Sequence, residues 1–251
     1  AAESHVDNSI YSPREFIQSN IIGTFNLVEA SFDHYLKLNE NRKRNFFFQH
    51  ISTDEVYGTL GKNGFFNENS AYRPNSPYSA SKASSDHIVR CWNKTYGLPI
   101  KITNCSNNFG PWQNKEKLIP KTIINCLQNK LIPVYGNGQN IRDWLYIDDH
   151  IDALLAVAEK GEIGSTYCIG GGNERTNLEV VNQICLIIDK VLSLQDSRRN
   201  LIDFVEDRPG HDVRYAIDFS KIKKELFWKP KFSFNKAIEK TVIWYIKKYN
   251  L

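Results

Sequence analysis

Two stretches of the chain bring chemistry-bearing side chains together. In Ile51-Ser-Thr-Asp-Glu-Val-Tyr-Gly58 a hydroxyl, Thr53, precedes two adjacent carboxylates, Asp54 and Glu55. In Tyr78-Ser-Ala-Ser-Lys82 a phenol and an ammonium stand four residues apart, which puts them on one face of a helix. A phenol with a pKa of about 10 is a poor base at neutral pH. A lysine cation close by favours the phenolate and lowers that value. Such a pair can take a proton from an alcohol while hydride leaves the same carbon. Two carboxylates with different pKa values suit an elimination, which needs one acid and one base. Tyr-x-x-x-Lys alone also describes an amphipathic helix with a surface lysine. Its weight here comes from the Thr-Asp-Glu stretch that precedes it.

The elements that must hold these groups can be read from the apolar pattern. The run 46–51 predicts a buried strand, and ligands of open α/β sheets bind outside the carboxyl ends of strands. Tyr78 opens a helix to about residue 95, with Gly97 and Pro99 as stop signals. Residues 100–105 predict the next strand, closed by a turn over 107–111. Residues 58–77 form a long loop of the kind that often carries function. Residues 1–7 read as a strand end and its loop. Ser12-Pro13 reads as an N-cap with proline at the first helical position of a helix 13–38. Phe16, Ile17, Ile21, Phe25, Val28 and Phe32 recur along it at helical spacing. Further on, the pattern predicts a helix 117–129, a strand 133–135 with a tight turn at 136–138, and a strand 144–147. Asp148 or Asp149 should cap a helix ending near Gly161. Then come a strand 166–169, a glycine turn 170–172, a helix 178–192, a polar loop 195–200 and helices 220–227 and 235–249. Strands alternating with helices predict an α/β fold, a Rossmann-like doubly wound parallel sheet.

The composition is that of a globular chain: 251 residues, 41% hydrophobic and 24% charged. A net charge of +4 suits an anionic small ligand and is too small to argue for nucleic acid. Cysteines stand at 91, 105, 126, 168 and 185, with no Cys-x-x-Cys, so buried thiols in a reducing, cytoplasmic setting are expected. No histidine pair has metal-ligand spacing, so no metal is expected. No apolar run reaches ~18 residues, so no membrane span is expected, and nothing at the start reads as a signal peptide.

The chain resembles the extended short-chain dehydrogenase/reductase superfamily and, within it, the dTDP-glucose 4,6-dehydratases. The stretches that carry the resemblance run in the family's order. They are Ala1-Ala-Glu-Ser-His-Val-Asp7, Ser52-Thr-Asp-Glu-Val-Tyr-Gly58, Ser76-Pro-Tyr-Ser-Ala-Ser-Lys-Ala83, Asn104-Cys-Ser-Asn-Asn-Phe-Gly-Pro111, Glu116-Lys-Leu-Ile-Pro120, Pro133-Val-Tyr-Gly-Asn-Gly138, Ile141-Arg-Asp-Trp144 and Asp207-Arg-Pro-Gly-His-Asp212. The resemblance implies NAD as cofactor and dTDP-glucose or a similar sugar nucleotide as substrate. It gives Thr53, Asp54, Glu55, Tyr78 and Lys82 the catalytic roles. Ala1, Ala2, Glu3, Ser4, Ser19, Asn108, Tyr78 and Lys82 would meet the cofactor. Ser4, Thr53, Asp54, Glu55, Asn107, Lys117, Leu118, Pro133, Val134, Tyr135, Arg142, Asn177, Asp207, Arg208, Pro209, Gly210 and His211 would meet the substrate. Two departures stand out: Asn8 where an Arg is common, and Phe109 where a Tyr is usual. The family also implies a homodimer through helices 13–38 and 78–96.

The implied organisation places 1–110 and 140–170 in the NAD-binding domain, with 111–139 and 171–251 mainly in a small C-terminal lobe for the sugar nucleotide. A dinucleotide fold seats its pyrophosphate on a glycine turn between the first strand and a helix. No such unit opens this chain, which has no Met and starts at Ala1. The family's Ala-Ala-Glu-Ser-His follows its fourth strand, so two to three βα units of ~30 residues each are expected upstream. Gly170-Gly-Gly172 lacks the spacing and the downstream acidic residue of a phosphate loop. Two other readings stand beside the dehydratase: a non-catalytic sugar-nucleotide-binding fragment, and another nucleotide-sugar dehydratase or decarboxylase of the same superfamily.

Overall fold

The computed structural model describes residues 2–249. The chain begins with α1 (Val6–Tyr11), where a loop was expected. Ser12 ends α1 and leads into α2 (Pro13–Phe16), with Pro13 in its first turn. Ser12 makes no side-chain cap bond, contrary to expectation. A π-helical stretch (Ile17–Ile22) and α3 (Gly23–Leu36) continue the same helical run. A π turn accommodates an extra residue and often marks a functional site. Here it carries Asn20, which is buried. α4 (Glu40–Lys43) is a single turn before β1 (Phe48–Thr53). The strand therefore runs two residues past the end its apolar run predicts. Ser52 and Thr53 alternate inward and remain paired to Asn104 and Cys105.

A 3-10 turn (Asp54–Tyr57) and the long loop lead to α5 (Pro77–Tyr96). Ser76 caps α5 in a reciprocal capping box with Ser79, and Gly97 in the left-handed region ends it. β2 (Ile100–Cys105) and β3 (Asn107–Phe109) follow. The expected turn at Asn107 is thus a short strand. Then come α6 (Leu118–Leu127), β4 (Ile132–Tyr135), β5 (Ile141–Tyr146) and α7 (Ile147–Lys160). α7 starts at Ile147, so neither Asp148 nor Asp149 is its cap. Asp149 instead accepts from the backbone N–H groups of Lys231 and Phe232 at 2.9 and 3.1 Å, tying down the C-terminal segment. The rest is β6 (Thr166–Ile169), β7 (Glu174–Thr176), α8 (Asn177–Val191), β8 (Ile202–Val205), α9 (Ser220–Leu226) and α10 (Phe234–Lys248). β7 and β8 lie in segments where no strand was expected. Both are short and lack a buried face of their own.

The central sheet is parallel, in the order β1-β2-β6. Ile100 and Ile102 of β2 pack with Val28 of α3 and Val89 of α5. Lys101 and Cys105 turn to the other face, where Lys101 Nζ donates to the carbonyls of Val157 and Ala158 on α7. Helices therefore cover both faces, and all six residues of β2 are buried, as a doubly wound α/β sheet requires. A second apolar cluster joins α6, β4, α8 and α10, including Ile123, Val134, Ile184 and Val242. The apolar stripe of α2 and α3 is mostly core: Phe16 and Val28 are buried, and Phe25 and Phe32 meet Trp92 and Tyr96 of α5 edge-on or tilted. Ile17 alone of the stripe is exposed, in the π stretch that shifts the helical phase.

Gly58-Thr-Leu-Gly61-Lys-Asn-Gly64 does carry a Gly-x-x-Gly-x-x-Gly spacing, which the sequence reading passed over. It is no pyrophosphate seat. The segment is a loop that runs into an isolated bridge between Phe66 and Ile217, not into a helix N-terminus. Gly58 is required there for another reason: its φ is +85°, and a Cβ would collide with the Arg73 carbonyl.

Candidate active site

The end of β1 presents Thr53, Asp54 and Glu55 in three different surroundings. Thr53 Oγ1 accepts from the Glu55 N–H and donates to Asp54 Oδ1, both at 3.3 Å. Asp54 is 1% exposed, and its Oδ2 has no partner. Burial, then the charges of Glu55 and Asp143, push its carboxyl well above the ordinary value. Burial also raises Glu55, but Lys117, Arg208 and Arg142 oppose the rise. The two carboxylates therefore differ as an acid and a base must: Asp54 holds its proton and Glu55 gives its proton up more readily.

α5 delivers Tyr78 and Lys82, both buried, beside this strand end. The expectation that Lys82 lowers the Tyr78 phenol is not met in this structure. Burial and then the charge of Glu55 push the phenol well above its ordinary value, while the Thr53 hydroxyl favours the phenolate. Lys82 Nζ donates to the Ile51 carbonyl at 2.8 Å. Cys105 lies near Tyr78, and burial pushes its thiol up to about 12, so it remains a thiol.

Glu55 opens onto a cavity at the carboxyl ends of the strands. Asn107, Asn108, Lys117, Leu118, Pro133, Val134, Tyr135, Arg142, Asn177, Arg208 and His211 line the same cavity. Segments as far apart in the chain as Glu55 and His211 thus meet in one place. Asn177 sits at the first position of α8, within a Thr176–Glu179 capping box, rather than in a turn. Arg142 is buried; it stacks on Tyr215 at 4.4 Å and donates to the carbonyls of Ile141 and Asp212. Arg208 donates to Asp7 Oδ1 at 3.0 Å, while its buried Nε has no partner. His211 Nδ1 donates to Asp207 Oδ1 at 2.6 Å. Asp207, Pro209 and Gly210 are not part of the lining; Gly210, with φ +66°, shapes the turn that presents Arg208 and His211.

The residues expected on the cofactor side form a separate group. Ala1 lies outside the described residues, and Ala2 is exposed. Glu3 is held by Asn20 through both its N–H and its carbonyl, at 2.8 and 3.0 Å. Asn20 also donates to Ser81 Oγ on α5 at 2.8 Å, and Ser19 Oγ donates to Asn20 Oδ1. The Ser4 carbonyl accepts from Lys117 Nζ, joining the first segment to α6. Asn108 donates to Cys105 Sγ and to the Ser106 carbonyl, leaving its Oδ1 buried and unpartnered, as is that of Asn107.

Several residues of the site lie outside the sequence expectation, and Asp7, Asp212, Tyr215 and Gln113 matter most among them. Asp7 accepts from both Arg208 and Tyr135 Oη, and these bonds hold its carboxyl below the ordinary value against burial. Asp212 takes hydrogen bonds from Asn75 Nδ2 at 2.7 Å and from Tyr215 Oη. Tyr215 and Gln113 line the cavity. Asp7 and Asp212 end two of the quoted stretches, so position was the available signal for them. Nothing local marks Tyr215 or Gln113. Among the described residues no cluster of His, Cys, Asp and Glu could hold a metal ion.

The GDP-mannose 4,6 dehydratase family model matches residues 1–241. A dTDP-glucose 4,6-dehydratase of Shigella flexneri is 53% identical over 259 aligned residues, covering 100% of this chain and 72% of that protein. One from Salmonella typhimurium is 54% identical, covering 98% of this chain and 71% of the relative. Among solved structures, the Streptomyces venezuelae dTDP-glucose 4,6-dehydratase with NAD bound is similar at a TM-score of 0.89 and 40% identity, over 100% of this chain and 72% of that one. A Bacillus cereus UDP-glucuronic acid 4-epimerase is more distant, at 27% identity and a TM-score of 0.83, over 99% and 74%. Identity of this extent, over nearly the whole chain and with the Thr-Asp-Glu strand end and Tyr-x-x-x-Lys helix in place, makes the chain a member of the dTDP-glucose 4,6-dehydratase family.

Proposed function

We propose that the chain is an NAD-dependent hydro-lyase that converts dTDP-glucose to dTDP-4-keto-6-deoxyglucose and water, in deoxysugar (rhamnose-type) biosynthesis. The observation that carries this reading is the adjacent pair Asp54 and Glu55, one shut away with its carboxyl pushed well above the ordinary value by burial, the other in the cavity among cations.

The residues present fit the nicotinamide end of the cofactor. Asn107 and Asn108 offer buried acceptors without donors, as a carboxamide requires. Asn108, Tyr78 and Lys82 would hold that end, with Glu3, Ser4 and Ser19 on the neighbouring segment. Bound NAD supplies a hydride acceptor that later acts as donor. Tyr78 takes the C4 hydroxyl proton as that carbon is oxidised, and Thr53 hydrogen-bonds the same oxygen. Lys82, one turn along α5, is the cation assigned to support the phenolate that Tyr78 must pass through, beside the Thr53 hydroxyl that already favours it. The C4 ketone acidifies C5. Glu55 removes the C5 proton while Asp54 gives its proton to the departing C6 hydroxyl, so water leaves. Glu55 then returns a proton to C5 as C6 is reduced. Lys117, Arg142 and Arg208 suit the nucleotide diphosphate; the unpartnered Nε of Arg208 is a ready donor. Asn177, Pro133, Val134, Tyr135, Leu118 and His211 complete the enclosure.

The apolar cluster joining α6, β4, α8 and α10 supports assigning 111–139 and 171–251 mainly to a substrate lobe. Exposed Ile17, Leu27 and Leu36 on the first helical run, with Tyr96 on α5, support a homodimer through helices 13–38 and 78–96. Five free cysteines support a cytoplasmic setting, and among the described residues no helix is long and apolar enough to cross a membrane.

Competition among dTDP-glucose, UDP-glucose and GDP-mannose in one reaction tests the substrate. Loss of water from dTDP-glucose ahead of the others is expected. Preferential turnover of another sugar nucleotide would overturn the thymidine assignment.

A further inference from the structure

Behind the site, α5 carries a second polar ladder. Tyr78, Lys82, Asp86 and Arg90 follow one another at intervals of four, so all four lie along one face of the helix. Asp86 is fully buried and is the hub. His50 Nε2 on β1 donates to Asp86 Oδ1 at 2.9 Å, and Tyr72 Oη from the long loop donates to Oδ2 at 2.7 Å. Asn104 on β2, also fully buried, donates through Nδ2 to Asp86 Oδ2 and to the Thr53 carbonyl, each at 3.1 Å. Arg90 donates to Tyr72 Oη at 3.0 Å.

We propose that Asp86 is a positioning residue: it joins α5 to the ends of β1 and β2 and maintains Lys82 as a cation beside Tyr78. This rests on the reading of Tyr78 and Lys82 given above. The geometric argument is that a buried carboxylate with three hydrogen-bond donors is fixed in place. Two consequences follow. The Thr53 carbonyl, immediately before the Asp54–Glu55 pair, is anchored through Asn104 to the same helix that carries Tyr78. The negative charge also sits one turn from a buried ammonium that is otherwise left with the Ile51 carbonyl. Burial pulls the Lys82 ammonium below its ordinary value, and Asp86 is the main charge opposing that. The titratable and charged groups facing this pair are His50 of β1, Tyr72 of the loop, Cys105 of β2 and Arg90 of α5.

The test is a carbon-13 NMR titration of the lysine side chains, without substrate, with Lys82→Ala assigning the Lys82 signal. Asp86→Asn should lower the Lys82 titration midpoint by at least one pH unit. An unchanged midpoint overturns the proposal. A purely structural role for Asp86 would not move it. Should Asp86→Asn fail to fold, the unmodified chain decides: the Asp86 carboxyl carbon should shift as Lys82 loses its proton, and a Lys82 titration invisible at Asp86 overturns the proposal. With dTDP-glucose, the same variant should lose about tenfold or more in kcat at unchanged KM. The lysine titration needs no turnover, so failure of the dehydratase reading and failure of this one are separable.

Discussion

Asp54 and Glu55 are adjacent in the chain, yet Asp54 is 1% exposed with an oxygen lacking any partner, while Glu55 lines the cavity with Lys117, Arg142 and Arg208. A 3-10 turn immediately after β1 carries both residues, and its three residues per turn set their side chains about 120° apart, so the two face different surroundings. The environment then decides which carboxylate keeps its proton.

Asp54→Asn should therefore slow water loss by about 10²–10⁴-fold, the range of a lost general acid. Oxidation at C4 should survive, so reduced cofactor should accumulate on mixing with dTDP-glucose. Absorbance of reduced nicotinamide alongside product formation checks both halves. Normal turnover in this variant would remove Asp54 from the acid role.

Arg208→Ala removes the donor with an unpartnered Nε and leaves Asp7 with Tyr135 and the nearby His5. A charge-assisted hydrogen bond contributes about 1.5–3 kcal/mol, so dTDP affinity should fall about tenfold to a hundredfold. Calorimetric titration with dTDP measures it. Unchanged affinity would take Arg208 out of the diphosphate site.

His150 gives a prediction for stability against pH. It is buried on α7, its Nε2 has no partner, and burial pulls its imidazole down to about 4. The unfolded chain titrates at the ordinary value of 6.5. Between these values the unfolded state binds more protons, so stability rises with pH. His150 thus costs the fold about 3 kcal/mol as pH falls from above 6.5 to 4. Urea unfolding across this range should show the loss, and His150→Leu should flatten that part of the curve. An equal slope in the variant would contradict the assignment.

Gly58→Ala should destabilise the chain by about 2 kcal/mol or more, because the left-handed backbone and the Arg73 carbonyl both reject a Cβ. Urea midpoints compare the two chains. A neutral result would mean that the loop after the 3-10 turn rearranges freely.

Much of this was legible in the sequence where a motif and an element coincide. Ser76-Pro77 ahead of Tyr78, and Gly97 after the helix, set the limits of α5 in the chain as in the structure. The stop signals Gly97 and Pro99 before it and the Asn-Asn-Phe-Gly-Pro stretch after it located β2 to the residue. β1 was misjudged at its end, since Ser52 and Thr53 are polar and are held in the strand by pairing to β2. β7 and β8 escaped notice because a three- or four-residue strand stabilised by its neighbours has no period to read. The glycine spacing at 58–64 shows the opposite limit: the pattern is present without the helix that would give it a phosphate to hold. Within the site, Tyr215 reaches the cavity through a bond to Asp212 and a stack on Arg142, contacts that depend on tertiary packing. The state of Tyr78 was also out of reach, because four residues' spacing to Lys82 says nothing of how deeply the phenol is buried or of the nearness of Glu55.

The most direct test of the central claim follows the hydrogen on C4. dTDP-[4-²H]glucose is incubated with the chain and NAD⁺, and the product is examined by mass spectrometry and proton NMR. The dehydratase reading of the Asp54–Glu55 site predicts loss of one water, with the label now on C6 of a 4-keto sugar. Label returned to C4 with no loss of water, or substrate recovered unchanged, would contradict it.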